Sequence, residues 1–258
     1  MAETSPLVLG ERIDGSVAIL TLDNPARRNA LSVEMRHRMI EALRRLEADP
    51  AIRALVLTGS GGHFSAGGDI VGQDTVTLAD GRERFRITHE MVRLMVGGGK
   101  PIIAAVEGWA AGAGLSLALL CDTVVAGDTA KFTAPFGKIG LVADLGLLHT
   151  LPERIGQGRA RQMLLYGEPV AAAEALSIGL VDRVVPAGTV LEAALERARL
   201  LGEAAPLPVA ITRRYLSRGL EEALDWERDM QAALMTTEDH REGRLAFLEK
   251  RAPRFIGR

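Results

Sequence analysis

Residues 100–122 read KPIIAAVEGWAAGAGLSLALLCD, and the order of residue types in this stretch decides the fold class. Ile102 to Val106 is a short apolar run suited to a buried strand. It ends in the glycine-rich turn EGWAAGAG. Leu115 to Leu120, immediately beyond, is apolar on every side, as a fully buried helix must be. A strand that feeds a buried helix through glycines is the unit of an α/β core, in which ligands bind at strand-to-helix turns.

The same order recurs upstream. Ala54 to Thr58 predicts a strand that runs directly into GSGGHFSAGGD, a first glycine-rich turn, before a helix over Leu78 to Val96. Earlier still, Ser32 is a plausible N-cap for a helix carried by Met35, Met39, Ile40, Leu43 and Leu46 and stopped at Asp49-Pro50. Leu7 to Arg12 and Val17 to Leu22 flank Asp14-Gly15 as a hairpin, and Asn24-Pro25 ends its second strand. Downstream, strands near Thr123 to Ala126 and Leu180 to Val185 bracket further helices, including Ala171 to Ile178, closed by Gly179. Beyond Pro186 the strand signals stop. Three or four helices follow, punctuated by Pro206, Pro208 and Gly219, with apolar positions such as Leu216, Leu220, Leu224 and Met230 that need a core or another subunit to cover them. The expected organisation is an α/β core over residues 1–195 and a helical C-terminal domain over 196–258.

Composition narrows the function. Of 258 residues, 47% are apolar and 25% charged, and the formal net charge of −2 gives no general attraction to nucleic acid or to an anionic membrane. The single cysteine, Cys121, lies in an apolar run without an internal partner and fits a reducing compartment. The five histidines show no metal-ligand spacing, so no metal is expected. No apolar stretch reaches membrane-helix length, and the first twenty residues lack the pattern of a secretory signal. The expected location is the cytoplasm.

Gly67-Gly68 and Gly112-Ala113-Gly114 each follow a strand, and the second opens a helix whose first N–H groups have no intrahelical partner. Two such N–H groups converging on one oxygen would stabilise an enolate, at about 3–4 kcal/mol per donor. Either turn alone is better explained by the tight packing that glycine permits.

The pair sits within a wider pattern. NPARRNALS, LVLTGSGGHFSAGGDI, KPIIAAVEGWAAGAGLSLALLCD, AKFTAPFGKIGL and REGRLAFLEKRAPRF, in that order, resemble the crotonase family of enoyl-CoA hydratases and isomerases over nearly the whole chain. The resemblance implies a spiral of ββα units followed by a helical trimerisation domain, assembled as a homotrimer or a dimer of trimers. It implies an acyl-CoA thioester as the partner, with coenzyme A entering as part of the substrate and no separate cofactor. It assigns the oxyanion hole to the N–H groups of Gly68 and Ala113. It places coenzyme A near Arg28, Ala30, Ala66, Asp69 and Ile70, with Lys250 available for a phosphate.

The chain departs from the family pattern at one point. Hydration needs two carboxylates acting on one water. At the positions that match the two hydratase glutamates stand Ser116 and Phe136, neither of which is a base near neutral pH. Asp144, in GLVADLG, remains. Its segment resembles the 1,2-epoxyphenylacetyl-CoA isomerase branch, as do AAGAG and the ERDxQ run Glu227, Arg228, Asp229 and Gln231. The resemblance implies a proton shuttle between acyl carbons, with Asp144 among Phe136, Ile139, Leu141 and Leu145, where an apolar setting would raise its pKa. A helix cap is the ordinary alternative for Asp144. A dehalogenase-like use of Asp144 with His89 and a non-catalytic acyl-CoA binder are the competing functions.

Overall fold

The computed structural model describes residues 9–70 and 77–258, so Leu7, where the first strand was expected to begin, lies outside the described residues. Strand β1 (Leu9–Asp14) pairs antiparallel with β2 (Val17–Leu22) around Gly15, whose positive φ of 60° suits the tight hairpin turn. Helix α1 (Val33–Ala48) starts at Ser32, whose hydroxyl accepts the Met35 N–H. Strand β3 (Ala54–Gly59) then pairs parallel with β2, and helix α2 (Leu78–Gly97) opens with a capping box between Thr77 and Asp80.

Strand β4 (Ile102–Val106) leads into a three-residue strand, β5 (Trp109–Ala111), and then into α3 (Ala113–Leu119), buried at every position. Strand β6 (Thr123–Gly127) leads likewise into β7 (Lys131–Thr133), and helix α4 (Leu147–Tyr166) follows, broken where Gly156 leaves helical geometry. A short β8 (Val170–Ala171), α5 (Ala172–Ser177) and β9 (Arg183–Val185) complete the strand-bearing part. The main sheet has the order β1-β2-β3-β4-β6-β9, parallel except at β1, and a small sheet has the order β5-β7-β8. Isolated bridges Leu31–Gly68 and Ser65–Ala110 carry the small-sheet pairing back through the first two turns of the chain. Each long strand is thus followed by a short extended piece and then a helix, which is the expected ββα spiral.

Side chains of β2 alternate between the two faces of the main sheet. Ala18, Leu20 and Leu22 point into the larger core with α1 and α3, whereas Val17 and Ile19 join a second core with Val56, Ile103 and Val125. That second core is closed by α6 (Val190–Glu203) through Val190, Ala194, Leu195 and Ala198, spaced along one helix face. The boundary expected at 195–196 therefore falls inside a helix that covers the sheet. Helices α7 (Pro206–Leu216), α8 (Leu220–Leu234) and α9 (Glu238–Leu248) complete the chain. The expected apolar face divides between burial and exposure. Leu220 and Leu224 are buried, whereas Leu216 is 73% exposed and Met230 39% exposed.

Two glycines let the spiral close tightly. A Cβ on Gly67 would stand 2.8 Å from the Ala111 carbonyl oxygen, and one on Gly114 would stand 2.5 Å from that of Ser65. Gly114→Ala should therefore cost about 1–3 kcal/mol of stability in urea unfolding, the range for overfilling a close-packed site. Gly137→Ala, which would meet nothing within 4 Å, should stay within about 0.5 kcal/mol of the parent.

Candidate active site

The two turns are stitched together by backbone hydrogen bonds. Phe64 and Ser65 donate to Glu107 and Trp109 at 2.8 and 2.9 Å, and Ala111 donates back to Ser65 at 3.0 Å. Asn29 fixes the first turn from the side, its amide donating to the carbonyls of Ser60 and His63 at 2.9 and 2.7 Å. The Ser65 hydroxyl donates to the Asn29 carbonyl and accepts the Gly67 N–H. Gly112, with φ 53° and ψ −124°, holds a conformation open only to glycine and sets α3 to begin at Ala113. Among the described residues, neither the Gly68 N–H nor the Ala113 N–H has a protein acceptor. Both residues line one cavity of about 470 Å³.

That cavity also holds Asp144. Its Oδ1 is buried without a hydrogen-bond partner. Burial, with the nearby Glu227 charge second, pushes the Asp144 pKa from 3.8 up to about 7, while the Arg36 and Arg84 guanidinium groups oppose the rise. The side chain does not cap α4, which is preceded by Gly146 with no side-chain cap. Phe136, Ile139 and Leu141 form apolar wall around it, and Met235, Phe247 and Leu248 from the C-terminal helices close one side. An oxygen placed between two free N–H groups beside a buried carboxyl group near neutral pKa is a setting for moving a proton next to a carbonyl.

Comparison with known proteins identifies the family. Residues 12–258 match the family model for enoyl-CoA hydratase/isomerase. The chain belongs to that family, the crotonases. It is 38% identical over 250 residues to the 2,3-dehydroadipyl-CoA hydratase of Escherichia coli K12, covering 94% of this chain and 96% of that protein. It is 36% identical over 254 residues to the 1,2-epoxyphenylacetyl-CoA isomerase of the same organism, covering 95% and 97%. A crystal structure of an enoyl-CoA hydratase from Mycobacterium avium subsp. paratuberculosis superposes with a TM-score of 0.88 at 31% identity, covering 98% of this chain and 100% of that one.

Within this crotonase, the positions expected around coenzyme A divide. Ala30, Ala66, Asp69, Ile70 and Phe136 all line the cavity. Arg28 does not. It is exposed and left-handed at φ 48°, and contributes its carbonyl to the Ala66 N–H at 2.8 Å, while Arg27 reaches the cavity wall and pairs with Asp69 at 2.9 Å. Lys250 is also exposed and off the cavity, in a left-handed turn after α9, where Phe247 and Leu248 take the lining positions. Ser116 is buried inside α3 with its hydroxyl donating to the Gly112 carbonyl at 3.3 Å, and it does not line the cavity.

His89 is neither a capping residue nor a base facing the cavity. It is buried, with Nε2 2.8 Å from Glu227 Oε1. The same Glu227 accepts the N–H groups of Leu145 and Gly146 at 2.8 and 2.7 Å, and one helical turn on, Gln231 Nε2 donates to the Val142 carbonyl at 2.7 Å. The ERDxQ run thus places Glu227 and Gln231 on one face of α8, holding the loop that carries Asp144. The cavity residues that sequence reasoning missed are Arg36 and Arg84, which look like solvent-facing helix charges when read locally.

The raised pKa of Asp144 has a stability consequence whose sign follows directly. Because the folded state holds the proton up to about pH 7 and the unfolded chain releases it near 3.8, ionisation opposes folding increasingly between those values and fully above them. Asp144→Asn should be more stable than the parent at pH 8, by up to about 4 kcal/mol, with the difference vanishing near pH 4 in parallel urea titrations.

Proposed function

We propose that this crotonase is an enoyl-CoA double-bond isomerase with Asp144 as its single acid–base group. The observation that carries this reading is the unpartnered Asp144 Oδ1 on a residue that lines the same cavity as Gly68 and Ala113, whose N–H groups lack acceptors among the described residues. The other carboxylate on the cavity wall among the described residues, Asp69, is ion-paired with Arg27. Hydration would require a second free carboxylate to work on water, and Phe136 and Ser116 supply none.

The thioester oxygen accepts the two N–H groups. Ionised Asp144 takes a proton from C2 of a 3-enoyl chain, the carbon next to the carbonyl, and the released electron pair spreads over the dienolate onto that oxygen. Protonated Asp144 then returns the same proton at the other end of the conjugated system, so the double bond moves and the composition does not change. The apolar wall of Phe136, Ile139 and Leu141 keeps water from quenching the intermediate. Coenzyme A enters with the substrate, and the reaction as written uses no other cofactor. Assembly as a homotrimer or dimer of trimers is part of the proposal, supported by the bare apolar side chains of α7, where Leu207, Ile211 and Leu216 are each more than two-thirds exposed.

Purified protein given a 3-enoyl-CoA should generate the absorbance of a conjugated 2-enoyl thioester without change of mass. kcat/KM should rise with pH through about 7, as Asp144 ionises. Asp144→Asn should lower kcat by roughly 10²–10⁴-fold while acyl-CoA binding persists. Gain of one water by the product, or unchanged turnover in the variant, overturns the reading.

A further inference from the structure

Two arginines stand in the cavity with neither guanidinium in an ion pair among the described residues. Arg36 comes from α1 and is 4% exposed, and its Nε and Nη1 have no hydrogen-bond partner. Its Nη2 lies 4.0 Å from the place a Cβ on Gly68 would occupy, beside the first oxyanion donor. Arg84, from the facing helix α2, lines the same cavity, and its guanidinium makes no ion pair or hydrogen bond among the described residues. The two cations repel each other, and burial together with that repulsion brings the Arg36 pKa down to about 10.

Buried guanidinium groups are ordinarily paired, because an uncompensated buried charge costs several kcal/mol. Among the described residues no carboxylate makes that ion pair. Asp69 is engaged with Arg27, and the Asp144 Oδ1 is itself unpartnered. Three polar groups thus face one space and leave it open.

We infer that the acyl group accepted by this site carries a carboxylate of its own, bound by Arg36 and Arg84. The planar guanidinium matches a carboxylate in shape and charge, and a substrate anion would relieve the repulsion between the two cations. A coenzyme A phosphate offers the same charge. However, both arginines act electrostatically on Asp144, and Arg36 adjoins the Gly68 turn. Arg36 thereby stands at the reacting end of the thioester, and Arg84 lies near enough to act on it electrostatically. The inference rests on the acyl-CoA site proposed above and names its substrate class.

Saturated thioesters test the docking without any chemistry, since they contain no double bond to move. Adipyl-CoA and hexanoyl-CoA share the nucleotide and chain length and differ by the terminal carboxylate. By calorimetry at fixed ionic strength, adipyl-CoA should bind the parent roughly 30-fold more tightly, in line with charge-assisted hydrogen bonding. The ratio should fall to within about threefold in Arg36→Met and in Arg84→Met, whereas Asp144→Asn should keep it. Should one arginine variant fail to fold, the parent ratio and the other variant decide. Equal or weaker binding of adipyl-CoA to the parent, or a preference that survives in the folded arginine variants, overturns the inference. A parent preference lost with the arginines in a protein that isomerises nothing would leave this inference standing and remove the proposed reaction.

Discussion

The contact on which the site depends is the approach of two strand-to-helix turns to within hydrogen-bonding distance of each other's backbones. Phe64, Ser65 and Ala111 exchange N–H···O bonds across the turns, and the absence of side chains at Gly67 and Gly114 is what admits the opposing carbonyls. Every bond formed there is also one fewer unsatisfied buried group. What remains after the exchange is the pair of N–H groups at Gly68 and Ala113, on residues that line the cavity and without acceptors among the described residues. A carbonyl oxygen is the natural complement, and the rigidity of the ribbon means that little reorganisation accompanies charge development on it.

Charge inside the cavity is finely opposed. Burial and Glu227 disfavour the Asp144 carboxylate, and Arg36 and Arg84 favour it, leaving its pKa near neutrality. A base of that strength is available at neutral pH and still gains from accepting a proton. With the arginines absent the same burial would hold the group protonated further up the pH scale, and with Glu227 absent it would be a weaker base. The cations therefore serve the carboxylate whether or not a substrate anion is present, and an anionic acyl group would weaken their hold on it as it binds.

Long elements were legible in the sequence because their periodicity is physical. β2, β3, β4, α1 and α2 all stand within a residue or two of the apolar runs that announced them. β5 and β7 went unseen because three residues of small or mixed type carry no period, and their pairing exists only once the main sheet has stacked the turns. The end of the core was placed too early for a similar reason. An amphipathic helix reads identically whether its apolar face meets a sheet, as that of α6 does, or other helices. Arg36 illustrates the limit for the site. Between Met35 and His37 it has the composition of a solvent face, and only the crossing of α1 with the Gly67-Gly68 turn buries it. Arg28 lies off the cavity wall, because a left-handed backbone at the end of the Pro25–Arg27 turn leaves its side chain exposed and gives the wall to its neighbour.

The position of Asp144 is set from a distant part of the chain. Leu145 takes φ 53°, a left-handed conformation that a branched side chain occupies at a cost of about 1–2 kcal/mol. Two short bonds to the Glu227 carboxylate, from the Leu145 and Gly146 N–H groups, offset that cost, and His89 holds the carboxylate from its other side. Glu227 is therefore occupied as an acceptor and stands behind the loop, where it orients Asp144 and raises its pKa without lining the cavity. Helix α8 is thus more than a lid on the core. Through one glutamate it couples the helical C-terminal region to the aim and the basicity of the Asp144 carboxyl group.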